Sequence, residues 1–271
     1  MLKILLITLG VIIGSFLLYI LILRCRKGHP GLAALQGWNY AHRGLHHKEK
    51  PENSMAAFRA ALEKGYGIEL DIHLLSDGSL AVIHDSLLKR TTGAEGHVED
   101  LTEDQLADYR LEGTEETIPT FRQVLDLFAG KAPLIVELKT HKGNHAALCE
   151  AACQLLEGYK GPFCLESFDP RCIRWLRKHR PQLIRGQLTR NFYKTKGMPL
   201  AIKCIMTHQL LNFLSVPDFV AYRFCDRKRL SNFLVRKVWG AQGVTWTLTD
   251  KEQHEAAIRE SWIPIFENYE P

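Results

Sequence analysis

The chain has 271 residues, 46% hydrophobic and 24% charged, which allows one large domain or two small ones with a sizeable core. Its formal charge of +5 is concentrated at the start: residues 1–30 hold Lys3, Arg24, Arg26 and Lys27 and no acid, leaving 31 basic against 30 acidic residues elsewhere. A nearly neutral body argues against the clustered basic face that nucleic-acid binding requires.

The run 4–23 (ILLITLGVIIGSFLLYILIL) carries no charge and, at about 20 residues, matches the length of a helix spanning a bilayer. It ends in Arg24-Cys25-Arg26-Lys27 rather than in a small-residue cleavage site, so it reads as an uncleaved single span and not as a signal peptide. The heavier positive flank follows the span, which places the body in the cytoplasm by the charge rule, with Lys3 and the α-amino group opposing. Seven cysteines, an odd number with no dense framework, suit a reducing compartment. Cys149 and Cys153 read as free thiols, and no His/Cys set has zinc-ligand spacing. The expected organisation is an anchor with its basic flank at 1–27, a Gly/Pro-containing linker at 28–37, and a catalytic body at 38–271.

Within that body short apolar segments alternate with helical stretches. Residues 38–42 read as a strand and 54–64 as a helix, with apolar positions at Met55, Phe58, Ala61 and Leu62 and a stop at Gly65. Residues 67–74 form a second strand. Asp77-Gly78 signals a tight turn, so 79–84 returns antiparallel as a hairpin arm. Residues 86–117 are polar and turn-rich, an excursion from the repeat. Helices are expected at 120–128, 145–157, 170–179, 227–238 and 251–259. Strands are expected at 134–139, 163–167, 183–188, 218–222, 244–247 and 263–267, with a longer mixed stretch over 190–215. Leaving out the hairpin arm, eight strands with intervening helices predict an α/β fold closed as a (β/α)₈ TIM barrel. No GxGxxG follows a strand, which removes support for a dinucleotide fold.

Active sites of such barrels gather at the C-terminal ends of the strands. There the sequence places His42-Arg43-Gly44, Glu69-Leu70-Asp71, His84-Asp85 and Glu137-Leu138-Lys139. Alternate strand residues share a face, so Glu69 and Asp71 point inward together. Two inward carboxylates repel and desolvate each other unless a cation neutralises them. Glu137, on the neighbouring strand, is placed to be a third ligand, and a thiol-free carboxylate set selects Mg²⁺ or Ca²⁺ over zinc. The alternative is a structural network of these acids with Arg43 and Lys139. His42 and His84 suit general acid–base work. Arg43 and Lys139 suit a phosphate, and Trp246 reads either as a substrate contact or as a core aromatic.

The ordered series A-H-R-G (41–44), P-E-N-S (51–54), E-L-D (69–71), D-G (77–78), I-H-D (83–85), I-P-T-F (118–121), V-E-L-K (136–139) and E-S-F-D (166–169) resembles the glycerophosphodiester phosphodiesterase family. The late W-T (246–247) and the closing I-F-E-N-Y-E-P resemble its terminal strands, so the likeness covers 38–271. It implies a (β/α)₈ fold, one divalent cation on Glu69, Asp71 and Glu137, His42 and His84 as the acid–base pair, and Arg43 and Lys139 on the phosphate. It also implies that 86–117 is the family's inserted subdomain and that Glu52 and Asn53 support the loop around the site. The chain departs from the family pattern at Glu267-Asn268, where Thr-Asp is frequent, and in ending without an eighth closing helix; both are expected to lie away from the acid–base pair.

The activity so implied is hydrolysis of glycerophosphodiesters to sn-glycerol 3-phosphate and an alcohol. One alternative is a lysophospholipase D acting on membrane lysophospholipids, suggested by the anchor and by the apolar and basic residues of 190–215 (among them Phe192, Tyr193, Leu200, Phe213, Lys194 and Lys203). Packing of an ordinary barrel helix is the plainer reading of that stretch. A further alternative is an inactive metal- or phosphate-binding scaffold.

Overall fold

A computed structural model describes all 271 residues. An exposed N-terminal helix α1 (Leu2–Ile22) precedes the body; it is long and apolar enough to cross a membrane, and its apolar window is unburied. The body follows in the order β1 (Tyr40–His42), α2 (Met55–Glu63), β2 (Gly67–Leu74), β3 (Leu80–Val82), α3 (Lys89–Thr92), α4 (Phe121–Phe128), β4 (Leu134–Leu138), α5 (His145–Leu156), β5 (Phe163–Ser167) and α6 (Pro170–His179). Then come β6 (Arg185–Thr189), α7 (Leu200–Thr207), α8 (Asn212–Ser215), β7 (Phe219–Arg223), α9 (Leu230–Lys237), β8 (Gln242–Leu248), α10 (Lys251–Arg259) and β9 (Trp262–Phe266). Parallel neighbours run from β1 through β2, β4, β5, β6, β7 and β8 to β9, and β1 pairs with β9, which closes the eight-stranded barrel. β3 pairs antiparallel with β2 as the hairpin arm.

Local chemistry starts the helices where the sequence places them. Ser54 accepts from the Ala57 amide at the head of α2, Thr120 and Gln123 form a capping box on α4, and Asp169 followed by Pro170 opens α6. Along β2, Ile68, Leu70 and Ile72 pack outward into the layer between strands and helices. That alternation leaves Glu69, Asp71 and His73 on the inner face. Lower in the barrel the interior is apolar, built from Ile135, Cys164, Phe219, Val244 and Ile263. Gly186 makes room there, since a Cβ on it would lie 2.0 Å from the Phe219 ring.

The structure alters the expected reading of 28–37. Pro30–Leu35 is a 3₁₀ turn whose Leu32 and Leu35 are buried with the inner residues, and the Tyr40 hydroxyl donates to the Leu35 carbonyl at 2.8 Å. The segment plugs the foot of the barrel instead of hanging free. Leu23 and Cys25 are buried against Val220, Leu234 and Val235, and Arg26 pairs with the buried Asp218 just before β7. The excursion 86–117 has its own small core of Leu88, Val98, Leu101, Leu106 and Leu111 under the hairpin residues Ala81 and Ile83. All seven cysteines are free thiols.

Candidate active site

Strand register assembles the site. His42 lies opposite Glu69 across β1 and β2, Asp71 opposite Glu137 across β2 and β4, and Glu137 opposite Glu166 across β4 and β5. Four carboxylates therefore line one arc of the barrel mouth, all of them buried. One oxygen each from Glu69, Asp71 and Glu137 lies within 4.8 Å of the others. Lys139 is the cation among them, its Nζ 3.0 Å from Asp71 Oδ1 and 2.8 Å from Glu137 Oε1.

One ammonium does not neutralise this cluster. Desolvation, with the Asp71 and Glu137 charges, pushes the Glu69 carboxyl well above its usual range. Desolvation pushes Glu137 up to about 7 despite Lys139. Glu166 is also driven well up by burial, and both of its carboxyl oxygens lack a hydrogen-bond partner. Asp71 alone is held low: burial opposes ionisation there, but Lys139, His84 and Arg43 outweigh it. A set of buried, crowded oxygens without a thiolate fits a hard divalent cation, whose charge would remove that repulsion.

The polar residues around Asp71 hold it in place. Asn53, itself at φ 55°, donates from Nδ2 to Asp71 Oδ2 at 2.9 Å and accepts from the Asp71 amide at 3.4 Å. Arg43 sits 3.4 Å from Asp71 Oδ2 and 3.0 Å from Glu52 Oε1, and its own amide donates to Glu69 Oε2 at 3.3 Å. Arg90 then bonds Glu52 and Asp85. Glu52 and Asn53 thus frame the carboxylates without entering the three-oxygen cluster, and Arg43 is engaged by acids on two sides.

The two histidines line the same cavity of about 440 Å³, along with Glu69, Glu137, Lys139 and Trp246. His42 Nε2 is 3.9 Å from Glu69 Oε2. His84 Nδ1 contacts Asp85 Oδ1 at 2.5 Å. Burial lowers the pKa of both imidazoles, which keeps them from being locked in the charged form. Trp246 packs edge-on against Phe168 at 5.8 Å between ring centroids, and with Leu188 and Phe192 it gives the cavity an apolar wall.

One expectation is corrected. Glu267 does not lie away from the acid–base pair: its Oε2 is 3.5 Å from His42 Nδ1 and its Oε1 is 3.0 Å from His46 Nε2. The cause is barrel closure, since β9 pairs with β1 and the residue after β9 emerges beside the end of β1. The 3.5 Å separation is long for a hydrogen bond and acts as an electrostatic contact in this state. Three other residues were given no role from sequence: Glu166, Asp85 behind His84, and Arg190. Arg190 lines the cavity with a buried Nε that has no partner, and its guanidinium lies 5.3 Å from the Phe192 ring centroid. Its position one residue past a strand, as for Lys139, was the available signal.

Comparison with known proteins gives the family and the fold. The chain is 31% identical over 230 residues to a glycerophosphodiester phosphodiesterase of Caldanaerobacter subterraneus subsp. tengcongensis, covering 81% of this chain and 88% of that protein. It is 34% identical over 166 residues to a lysophospholipase D of Rattus norvegicus, covering 56% of this chain and 50% of that one. Among solved structures, an Oleispira antarctica phosphodiesterase in complex with the product sn-glycerol-3-phosphate superposes with a TM-score of 0.70 at 20% identity, covering 86% of this chain and 93% of that one. A profile of the glycerophosphoryl diester phosphodiesterase family matches residues 42–266, from the first site histidine to the end of β9, and the chain belongs to that family.

Proposed function

We propose that the protein is a metal-dependent phosphodiesterase that splits glycerophosphodiesters into sn-glycerol 3-phosphate and an alcohol. The carrying observation is that two carboxylate-backed histidines and an under-neutralised carboxylate cluster share one cavity. Glu69, Asp71 and Glu137 would hold the cation, Mg²⁺ or Ca²⁺. When bound, it supplies charge stabilisation for the phosphoryl oxygens. Lys139 and Arg190 add positive charge from the protein itself, while Arg43 chiefly holds Asp71 and Glu52.

Glu267 behind Nδ1 of His42 favours the proton on that nitrogen and leaves Nε2 toward the cavity. Asp85 does the same for His84. One imidazole removes the proton from the attacking oxygen as it bonds to phosphorus; the other gives a proton to the alkoxide as the P–O bond breaks. The apolar wall of Phe168, Leu188, Phe192 and Trp246 receives the organic part of the substrate.

A second reading, hydrolysis of lysophospholipids, is favoured by how α1 meets the barrel. Arg26 is tied to Asp218 at the foot of β7, Tyr19 and Ile20 pack against the cluster that holds Val220, Leu234 and Val235, and the Trp239 indole donates to the Ile20 carbonyl at 2.8 Å. The apolar helix thus starts from the barrel surface itself, which would hold the body close to a bilayer. Leu200 and Ile202 on α7 are also exposed apolar residues. We read α1 as a single span with the body on the cytoplasmic side, from its positive flank. Release of choline or ethanolamine from glycerophosphodiesters and from lysophospholipids, with EDTA, Mg²⁺ or Ca²⁺, separates the readings. Release from neither class would leave a scaffold that binds metal or phosphate without turnover.

A further inference from the structure

A second set of ligating side chains lies where the insertion meets the loop after β4. His97 and Glu99 come from the insertion and His141 from that loop, and one ligand atom from each lies within 4.8 Å of the others. The Ser86 hydroxyl is at their centre: 2.7 Å from Glu99 Oε2, 2.8 Å from His97 Nδ1 and 3.2 Å from His141 Nδ1. The hydroxyl donates to Glu99 and can accept from both imidazoles, so Ser86 gathers three potential ligand atoms from two segments around one point. The His97 and His141 rings are tilted by 51° at 5.0 Å, which turns their nitrogens toward this centre instead of stacking the rings.

The carboxylate is oriented from behind. His73 Nδ1 holds Glu99 Oε1 at 2.7 Å, while His73 Nε2 is anchored on the His84 carbonyl at 3.1 Å. That leaves Oε2 aimed at the convergence point, and the Glu99 side chain is only 7% exposed. His141 Nε2 is buried with no hydrogen-bond partner, so nothing in the protein competes to turn the ring away.

We propose that His97, Glu99 and His141 form a second metal site, for a borderline transition ion of the zinc type, with the Ser86 hydroxyl or a water in the fourth position. Two imidazoles and one carboxylate suit such an ion, in contrast to the all-oxygen cluster at the barrel centre. Zn–N and Zn–O bonds of about 2.0–2.2 Å need the ligands to close in by roughly an ångström, a side-chain movement only. The sequence shows no zinc spacing because the ligands come from two separate segments. An ion here would brace the insertion against the barrel mouth. Ser86 is two residues past His84, and His141 is two past Lys139, so the brace fixes the loop carrying one acid–base residue.

The test uses the full chain in detergent with Mg²⁺ in excess, titrated with Co²⁺ and then Zn²⁺. Four-coordinate Co²⁺ has intense visible bands, whereas the six-coordinate ion expected among carboxylates absorbs weakly. The expected result is one equivalent of intensely absorbing Co²⁺, displaced by Zn²⁺, with affinity reduced at least about 10-fold in His97→Ala and Glu99→Gln. The band should persist in His46→Ala, which breaks the other His/Glu cluster, formed with His42 and Glu267. His141→Gln is a second route should His97→Ala not fold, judged by far-UV circular dichroism. Absence of an intense band, its persistence at wild-type affinity in the folded His97 or His141 variant, or its loss in His46→Ala overturns the proposal.

Discussion

Glu267 Oε2 lies 3.5 Å from Nδ1 of His42, on the side of the ring away from the carboxylate cluster. Because the second oxygen of Glu267 is held by His46 at 3.0 Å, the carboxylate is held beside His42, where its charge favours the proton on Nδ1. Replacement Glu267→Gln keeps the shape and removes the charge. It should lower kcat about 10–100-fold while moving KM less than about threefold, the pattern of a positioning residue. Steady-state kinetics on a soluble glycerophosphodiester would read this, and an unchanged kcat would remove Glu267 from the account.

The same carboxyl carries an acid-limb prediction. His42 and His46 hold Glu267 below the usual carboxylate range, outweighing desolvation. A group depressed in the folded state stabilises the protein above its unfolded value of about 4.3, and that contribution is lost as pH falls below it. Glu267→Gln should therefore lose less stability than wild type as pH falls from about 4.5 to about 2, measured by thermal melts in matched buffers. A parallel loss in both proteins would contradict the assignment.

Removal of either imidazole should be costly. His42→Ala and His84→Ala are each expected to reduce turnover by about 10²–10⁴ with unchanged circular dichroism. Asp85→Asn, which weakens the partner of His84 Nδ1, should cost less, on the order of 10-fold. Turnover within about threefold of wild type for both alanine variants would defeat the acid–base assignment.

Activity should vanish with EDTA and return with Mg²⁺ or Ca²⁺. Glu137→Gln removes one of the three clustered negative charges and one of the two carboxylate partners of Lys139. Ion affinity, read by isothermal calorimetry, should fall by at least about 10-fold. Equal affinity in the variant would place the ion elsewhere.

Two substitutions test the barrel itself. Gly186→Ala puts a Cβ 2.0 Å from the Phe219 ring and should destabilise by at least about 1–3 kcal/mol through overpacking. Leu35→Ala opens the plug under the interior and should cost about 2–5 kcal/mol. Urea denaturation of the full chain reports both, and a change below about 0.5 kcal/mol in either would mean that the site relaxes freely.

The readable features of the sequence were the local ones. Glu69 and Asp71 share a face because strands alternate, and Ser54, Thr120 and Asp169 mark helix starts by capping chemistry. The hairpin after Asp77-Gly78 follows from turn chemistry. What stayed hidden depends on contacts between distant strands. Glu267 meets His42 only because β9 closes on β1. Arg190 gains meaning from lacking an acidic partner, which no spacing reveals. Leu32 and Leu35 look like linker residues until the open foot of the barrel supplies the surface that buries them.

The central claim is that this chain's own histidines and carboxylates hydrolyse a glycerophosphodiester at a divalent cation. ³¹P NMR of the full chain with glycerophosphocholine and glycerophosphoethanolamine, with Mg²⁺ or Ca²⁺ and then with EDTA, tests it most directly. A new phosphomonoester resonance that appears with the ion, stops with EDTA and is absent in the His42→Ala, His84→Ala double variant is the predicted result. No monoester from either substrate with either ion, or equal formation by the double variant, would contradict the account.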